Sequence, residues 1–235
     1  MDRFLRTEAL LGDVSMEKLK KSRVIVFGVG GVGGYTVEAL ARSGVGAIDV
    51  VDPDLVAKSN LNRQIIALEN TVGRKKTEVI KERILSINPE VKVTCFDIFY
   101  LPENSHLIDL SVYDYIVDAI DTVPAKIDII CRAKELEIPV ISSMGFGNKL
   151  NPTMVEVADL SKTSVCPLAR TIRRLLREKG ITHVKTVYSK EIPKTPAGKL
   201  DSSGKPTVAS VAFVPSVAGL VIASEVIKDL ACINE

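Results

Sequence analysis

The chain has 235 residues, of which 46% are hydrophobic and 26% charged, with a net charge of +2; this is the balance of a globular enzyme and not of a disordered or fibrous chain. The length suits one large α/β domain or one and a half ordinary ones, with a substantial buried core. Cysteines occur at 95, 131, 166 and 232, which excludes a C-x-x-C zinc pair and reads as reduced thiols in a cytosolic protein.

The N-terminus carries no apolar signal segment. Residues 3–7, Arg3-Phe4-Leu5-Arg6-Thr7, open a short amphipathic lead that ends near Gly12. Residues 24–27 are a β-branched, apolar run that reads as a buried parallel strand. Gly28-Val29-Gly30-Gly31-Val32-Gly33-Gly34 follows, a tight turn that lets backbone N–H groups approach a phosphate. Residues 35–43 read as a helix stopped by Gly44. Residues 47–51 form the next strand. Asp52 stands at its end, 19 residues past Gly33, where an acid meets ribose hydroxyls in a nucleotide-binding βαβ unit.

An enzyme that activates a carboxylate with ATP must also neutralise a triphosphate and hold Mg2+. The residues after Asp52-Pro53-Asp54 supply such groups: Ser59-Asn60-Leu61-Asn62-Arg63-Gln64, then Lys76, then Asp121. Asn60 and Arg63 are three apart, so one helical turn places them on one side. Residues 73–87 read as a helix ended by Asn88-Pro89. Lys76 lies in its first turn, where the helix dipole disfavours a cation unless an anion is bound; Lys75 is the alternative. Strands at 91–96, 115–117 and 139–143, with a crossover helix at 125–137, continue the alternation. This gives an α/β fold with a Rossmann-like, doubly wound, mostly parallel sheet. Asp118 and Asp121 sit at a strand's carboxyl end, where ligands bind such sheets.

The ordered motifs G-x-G-G-V-G, D-x-D, S-N-L-N-R-Q, the G-x-x-K ending at Lys76 and D-A-I-D resemble the ubiquitin-activating-enzyme-like (ThiF/MoeB/HesA) adenylyltransferases. The match covers about residues 3–143, with a weaker match beyond. The resemblance implies an ATP site built from Gly28, Gly30, Gly31, Gly33, Asp52, Asp54, Ser59, Asn60, Arg63, Lys76 and Asp121. It implies Mg2+ at Asp121, with Asp118 structural or behind the site, and a homodimer in which Arg6 reaches the partner subunit's ATP phosphates, with Arg3 as fallback. Arg63, Lys76, Asp121 and Arg6 are then the catalytic set.

Beyond residue 150 the character changes. We divide the chain into an adenylation core, 1–150, and a C-terminal α+β extension, 151–235, integrated with it in one compact domain. Residues 154–157 read as a strand. Pro167 suits the first position of a helix that runs to 179. On it Arg170, Arg173, Arg174 and Arg177 fall at i, i+3, i+4 and i+7, opposite Leu168, Ile172, Leu175 and Leu176. Lys185, Lys190, Lys194, Lys199 and Lys205 follow, the last three within a Pro/Gly/Ser-rich surface loop, 191–207. Between 162 and 205 eleven Lys or Arg face three Asp or Glu, a local charge of +8. This points to a polyanion, and the arginine face to tRNA phosphates. Residues 208–227 are apolar, but Pro215, Glu225 and three serines interrupt them. They read as a buried strand and helix and not as a membrane span, leaving peripheral membrane contact open. The small residues Ala218, Gly219, Ala223 and Ser224 suit close packing, with a dimer interface as one option.

D-L-x-K-T-x-x-x-P-L-A-R, the basic helix and V-x-T-V-Y-S-K-E-x-P are similar to the tRNA threonylcarbamoyladenosine dehydratase branch of the family, which departs from this chain in usually having an acid at position 166. That resemblance implies that ATP adenylates the threonyl carboxylate of the modified adenosine beside the anticodon. The substrate's own carbamoyl group then closes a ring and expels AMP, and no catalytic cysteine is needed. It also leaves room for a monovalent cation, Na+ or K+, and for a sulfur-acceptor or cysteine desulfurase partner. Two other readings stand beside it. One is an activating enzyme for a ubiquitin-like or sulfur-carrier protein, with Cys166 as acceptor thiol. The other is a non-catalytic nucleotide- or NAD-binding module.

Overall fold

The computed structural model describes residues 3–195, 197, 198, 204 and 208–233. Its sheet is built from short apolar runs. β1 (Arg23–Phe27), β2 (Ala47–Val51), β3 (Cys95–Phe96), β4 (Tyr115–Asp118), β5 (Val140–Ser143), β6 (Val155–Asp159) and β7 (Lys185–Ser189) lie in the order β3-β2-β1-β4-β5-β7-β6. Every neighbouring pair is parallel except β6 with β7. Both faces of such a sheet must be covered, so its inner strands need no polar alternation. Val24 and Val26 point into one core, and Ile25 and Phe27 into the other.

The helices divide between those faces. α1 (Leu5–Leu11) and α2 (Asp13–Lys21) precede the sheet. α3 (Gly33–Arg42) and α4 (Lys76–Ile87) bury Val37, Leu40, Val79, Ile80 and Ile84 on the first face. α5 (Val123–Glu135) and α6 (Pro167–Glu178) bury Ile129, Ile130, Ile172 and Leu176 on the second. Last, α7 (Phe213–Ala231) sets Val214, Ala218, Ile222 and Val226 into the first core. At ~1.5–3 kcal/mol for each large aliphatic side chain withdrawn from water, these two layers supply most of the drive for folding.

Several expectations shift. The strand expected over 91–96 pairs only at Cys95–Phe96, with a bridge at Lys92, because the buried Asp49 carboxylate takes the Thr94 amide (2.8 Å). Residues 208–212 form no strand; α7 starts at Phe213, and Pro215 is tolerated in its first turn, where a backbone N–H would have no helical acceptor. Of the small residues of α7, Ala218, Gly219 and Ala223 are buried within the chain, whereas Ser224 is exposed. A Cβ on Gly219 would lie 2.3 Å from the Val32 carbonyl, and Thr36 Oγ1 donates to the Gly219 carbonyl at 3.0 Å. No helix among the described residues is long and apolar enough to cross a membrane. The late strands β7 and β6 extend the same sheet beyond β5.

Candidate active site

The strand order reverses direction between β1 and β4, and their carboxyl ends leave a crevice there, as in other doubly wound sheets. A cavity of about 580 Å³ opens at that point. Its floor is Gly28, Gly30 and Gly31 after β1, with Ala119 to Thr122 after β4. Glycine is obligatory at 33: a Cβ there would lie 1.8 Å from the Gly28 carbonyl oxygen. This close approach lets α3 begin directly against the turn, whose residues Gly30 to Val32 face the cavity, an arrangement suited to a phosphate.

Asp52 is buried, and both of its oxygens are engaged. Oδ2 accepts from the Val29 N–H (2.9 Å) and Oδ1 from the Asp54 N–H (3.0 Å). Burial pushes its carboxyl up, opposed by the Lys76 charge and those two amides. Asp52 therefore braces the glycine turn as well as lining the cavity. Lys76 is the first residue of α4 and is 5% exposed. Its Nζ donates to Asp54 Oδ2 at 2.7 Å and lies 3.7 Å from Asp52 Oδ1. The dipole conflict inferred for a lysine at this position is thus met by two carboxylates in the protein itself. Lys75 is the N-cap, pairs with Asp97 at 2.8 Å and is not part of the cavity lining, so of the two lysines Lys76 is the one that faces the cavity.

Asn60 and Arg63 both line the cavity. Asn60 Oδ1 accepts from the Ala57 N–H (3.0 Å) and closes the short turn that carries them. Arg63 Nη1 donates to the Ser59 carbonyl and to Asn62 Oδ1, both at 2.8 Å. These bonds hold the guanidinium in place through one nitrogen, leaving the rest of the fork for an anion. Asp121 lines the cavity with an exposed carboxylate. Asp118 does not line it. It is fully buried and paired with Lys126 at 2.8 Å.

The other expected residues are more scattered. Ser59 contributes its carbonyl to Arg63 and is not among the lining residues. Arg3 Nη1 donates to Asn88 Oδ1 (3.0 Å) and the Ile87 carbonyl (3.3 Å), tying the lead to the end of α4, while Arg6 is exposed on α1. On α6, Arg170 and Arg177 are exposed, but Arg173 Nη1 donates to the Thr163 carbonyl at 2.8 Å and Arg174 pairs with Glu178 at 2.7 Å. The stripe is therefore not free of acids. Lys199 and Lys205, like part of the 191–207 loop, lie outside the described residues. Cys166 is the N-cap of α6 and only 3% exposed.

Sequence reasoning missed a second side of the cavity. Ile98 and Phe99, then Ser143 at the end of β5 and residues 144–147 after it, Leu168 on α6, and Val208, Ser210 and Pro215 all line it. The rule that ligands gather at carboxyl strand ends would have found Ser143. No local pattern marks residues 208–215, which reach the cavity only through the fold.

The ThiF family model matches residues 2–235. A tRNA threonylcarbamoyladenosine dehydratase of Bacillus subtilis (strain 168) is 42% identical over 241 aligned residues, covering 98% of this chain and 95% of the relative. Escherichia coli tRNA N6-threonylcarbamoyladenosine dehydratase, TcdA, solved in complex with AMP, superposes with a TM-score of 0.90 at 36% identity, over 98% of this chain and 94% of that one. The same enzyme in complex with ATP gives a TM-score of 0.87 at 35% identity with the same coverage.

Proposed function

The chain belongs to the ThiF family, and within it we propose that it catalyses the ATP-dependent cyclising dehydration of threonylcarbamoyladenosine in tRNA. The observation that carries the reading is the meeting of Arg63, Lys76 and Asp121 around one glycine turn in one cavity, beside relatives of nearly equal length that carry this name.

The chemistry follows from what the residues offer. The glycine turn binds phosphate oxygens through its N–H groups. Arg63 and Lys76 meet the charge that builds up as the threonyl carboxylate attacks the α-phosphorus and pyrophosphate leaves. In this step Lys76 exchanges Asp54, which faces water, for phosphate. The acyl-adenylate is then attacked by the substrate's own carbamoyl group, AMP leaves, and the net change is loss of water. Because the nucleophile is already tethered, the protein has only to orient and to exclude water. Mg2+ fits the site: one exposed carboxylate, Asp121, with phosphate oxygens and water is a common donor set for this ion, and when bound it neutralises phosphate charge. Arg6 is exposed and not held within the chain by the bonds that tie Arg3, which supports its reaching a second copy's phosphates in a homodimer. Arg170 and Arg177, with the lysines after them, are the reading's tRNA surface. A tRNA substrate supports a cytoplasmic location.

The buried Cys166 sulfur weighs against an acceptor thiol that must meet a carrier protein's C-terminus. The test is digestion and mass analysis of threonylcarbamoyladenosine-bearing tRNA after incubation with protein and ATP. Loss of one water from the modified nucleoside, with AMP and pyrophosphate formed, is expected. An unchanged nucleoside, or a thioester at Cys166, sinks the reading.

A further inference from the structure

Asn148 follows β5, beside the cavity residue Gly147, in left-handed backbone at φ 61°. Few residues other than glycine accept that conformation, and asparagine is among them. Three hydrogen bonds meet at it. Its N–H donates to the Ala209 carbonyl (2.7 Å), its Oδ1 accepts from the Ala209 N–H (2.8 Å), and its carbonyl accepts from the Lys194 N–H (2.7 Å). Residue 209 is thereby gripped on both of its backbone groups.

The next residue carries the contact onward. The Ser210 carbonyl accepts from Asn62 Nδ2 (3.0 Å), and Asn62 Oδ1 accepts from Arg63 Nη1 (2.8 Å). Val208 and Ser210 both line the cavity. A short strut at 208–210 thus spans the cavity wall from the end of β5 to the turn that aims Arg63. An amide such as Asn62 has one fixed donor end and one fixed acceptor end. Holding its donor on Ser210 presents its acceptor to the arginine.

We propose that Asn148 is a positioning residue that, through residues 209 and 210 and Asn62, holds the guanidinium of Arg63 in the geometry used for phosphate activation. This deepens the proposed function and its activity arm rests on that reading. Arg63 lines the ATP cavity, but the glycine turn and Lys76 bind ATP without the strut, so the effect falls on turnover more than on ATP affinity.

The test uses the full chain. Asn148→Gly keeps the backbone conformation and deletes only the Oδ1 bond; Asn148→Asp restores an acceptor. In Asn148→Gly, AMP formation with tRNA at saturating ATP should fall about five- to tenfold, the size of one neutral hydrogen bond, with KM for ATP within about twofold of the parent value. Asn148→Asp should recover most of the rate. Asn62→Ala should lose at least as much, and adding Asn148→Gly to it should cost little more, because the two act in series. Multiplying effects, a changed KM with unchanged turnover, or no recovery by aspartate overturns the proposal. If the parent protein forms no AMP with tRNA, the functional reading fails by itself. The strut is still decided by amide hydrogen exchange at Ala209, which should be at least fivefold faster in Asn148→Gly; unchanged exchange overturns it.

Discussion

Of the buried lysines in the nucleotide-binding half, Lys76 and Lys126 are both paired with aspartate, yet they are placed for opposite purposes. Lys126, on α5, is fully buried. Its Nζ donates to Asp118 Oδ2 (2.8 Å) and the Ser143 carbonyl (2.7 Å), with Ser142 Oγ at 3.4 Å, and Asp118 accepts from Ser142 Oγ at 2.5 Å. The network ties the carboxyl ends of β4 and β5 together beneath the cavity. Lys76 faces the cavity instead, and its nearer partner, Asp54, has a side chain 63% exposed. One cation is sealed among partners that cannot leave. The other has a partner that water readily takes over, so a phosphate can replace it at little cost. What separates the two lysines is therefore the exposure of the partner and not the burial of the charge.

The largest expected effect is on the sealed pair. Lys126→Met leaves the Asp118 carboxylate buried and alone, and should lower unfolding free energy by about 3–5 kcal/mol. Adding Asp118→Leu should recover much of that loss. Denaturant titration of the single and double variants checks this, and a mild single variant would erase the contrast. Next comes Lys76→Ala, expected to reduce AMP formation by about 10²–10³-fold, while its stability changes by no more than about 1–2 kcal/mol. A rate near the parent's would place Lys76 with Lys126 as a structural cation.

A smaller effect extends the comparison to α6. Arg173 and the exposed Arg174 are bonded within the chain, to the Thr163 carbonyl and to Glu178, and Arg170 and Arg177 are exposed. Arg170→Ala with Arg177→Ala should flatten the log–log salt dependence of tRNA affinity by about 0.7–0.9 for each phosphate left without its arginine, and leave ATP affinity unchanged. An Arg173→Ala, Arg174→Ala pair should do less. Equal slopes in both double variants would show that tethering does not decide which arginines meet tRNA.

The smallest effect is a pH dependence at a half-sealed charge. Burial would raise the Glu38 carboxyl, but the hydrogen bonds of Arg83 and Arg42 outweigh it and hold it below its ordinary range. A depressed folded-state pKa means stability present above the unfolded pKa and lost as pH falls through the folded one. The gap between the parent and Glu38→Gln should therefore be widest near neutrality and close below the usual glutamate value of 4.5. A gap independent of pH would deny Glu38 its charge.

Much of the site was legible in one dimension because its signals are local. A glycine turn must be glycine wherever a helix packs on it, as Gly33 shows, and the strand–turn–helix order around it is set by short runs. The helix of residues 167–178 was equally plain, since Pro167 and the apolar stripe through Ile172 and Leu176 act within a few turns.

What the sequence by itself determined is therefore the parallel, nucleotide-binding half with Arg63, Lys76 and Asp121 at strand and helix ends, and the basic face of one helix. Only the tertiary structure decided which of two adjacent lysines faces the cavity, that Asp118 is closed off while Asp121 is open, that Arg173 is tethered, and that Val208, Ser210 and Pro215 line the cavity. Apart from Arg173, whose partner Thr163 is ten residues away, each depends on partners far along the chain: Lys75 with Asp97, Asp118 with Ser142, Asn148 with Ala209, and Asn62 with Ser210. Periodicity and turn chemistry report on neighbours within a few residues. A polar side chain's choice between water and a distant backbone group is made when sheet and helices close around it.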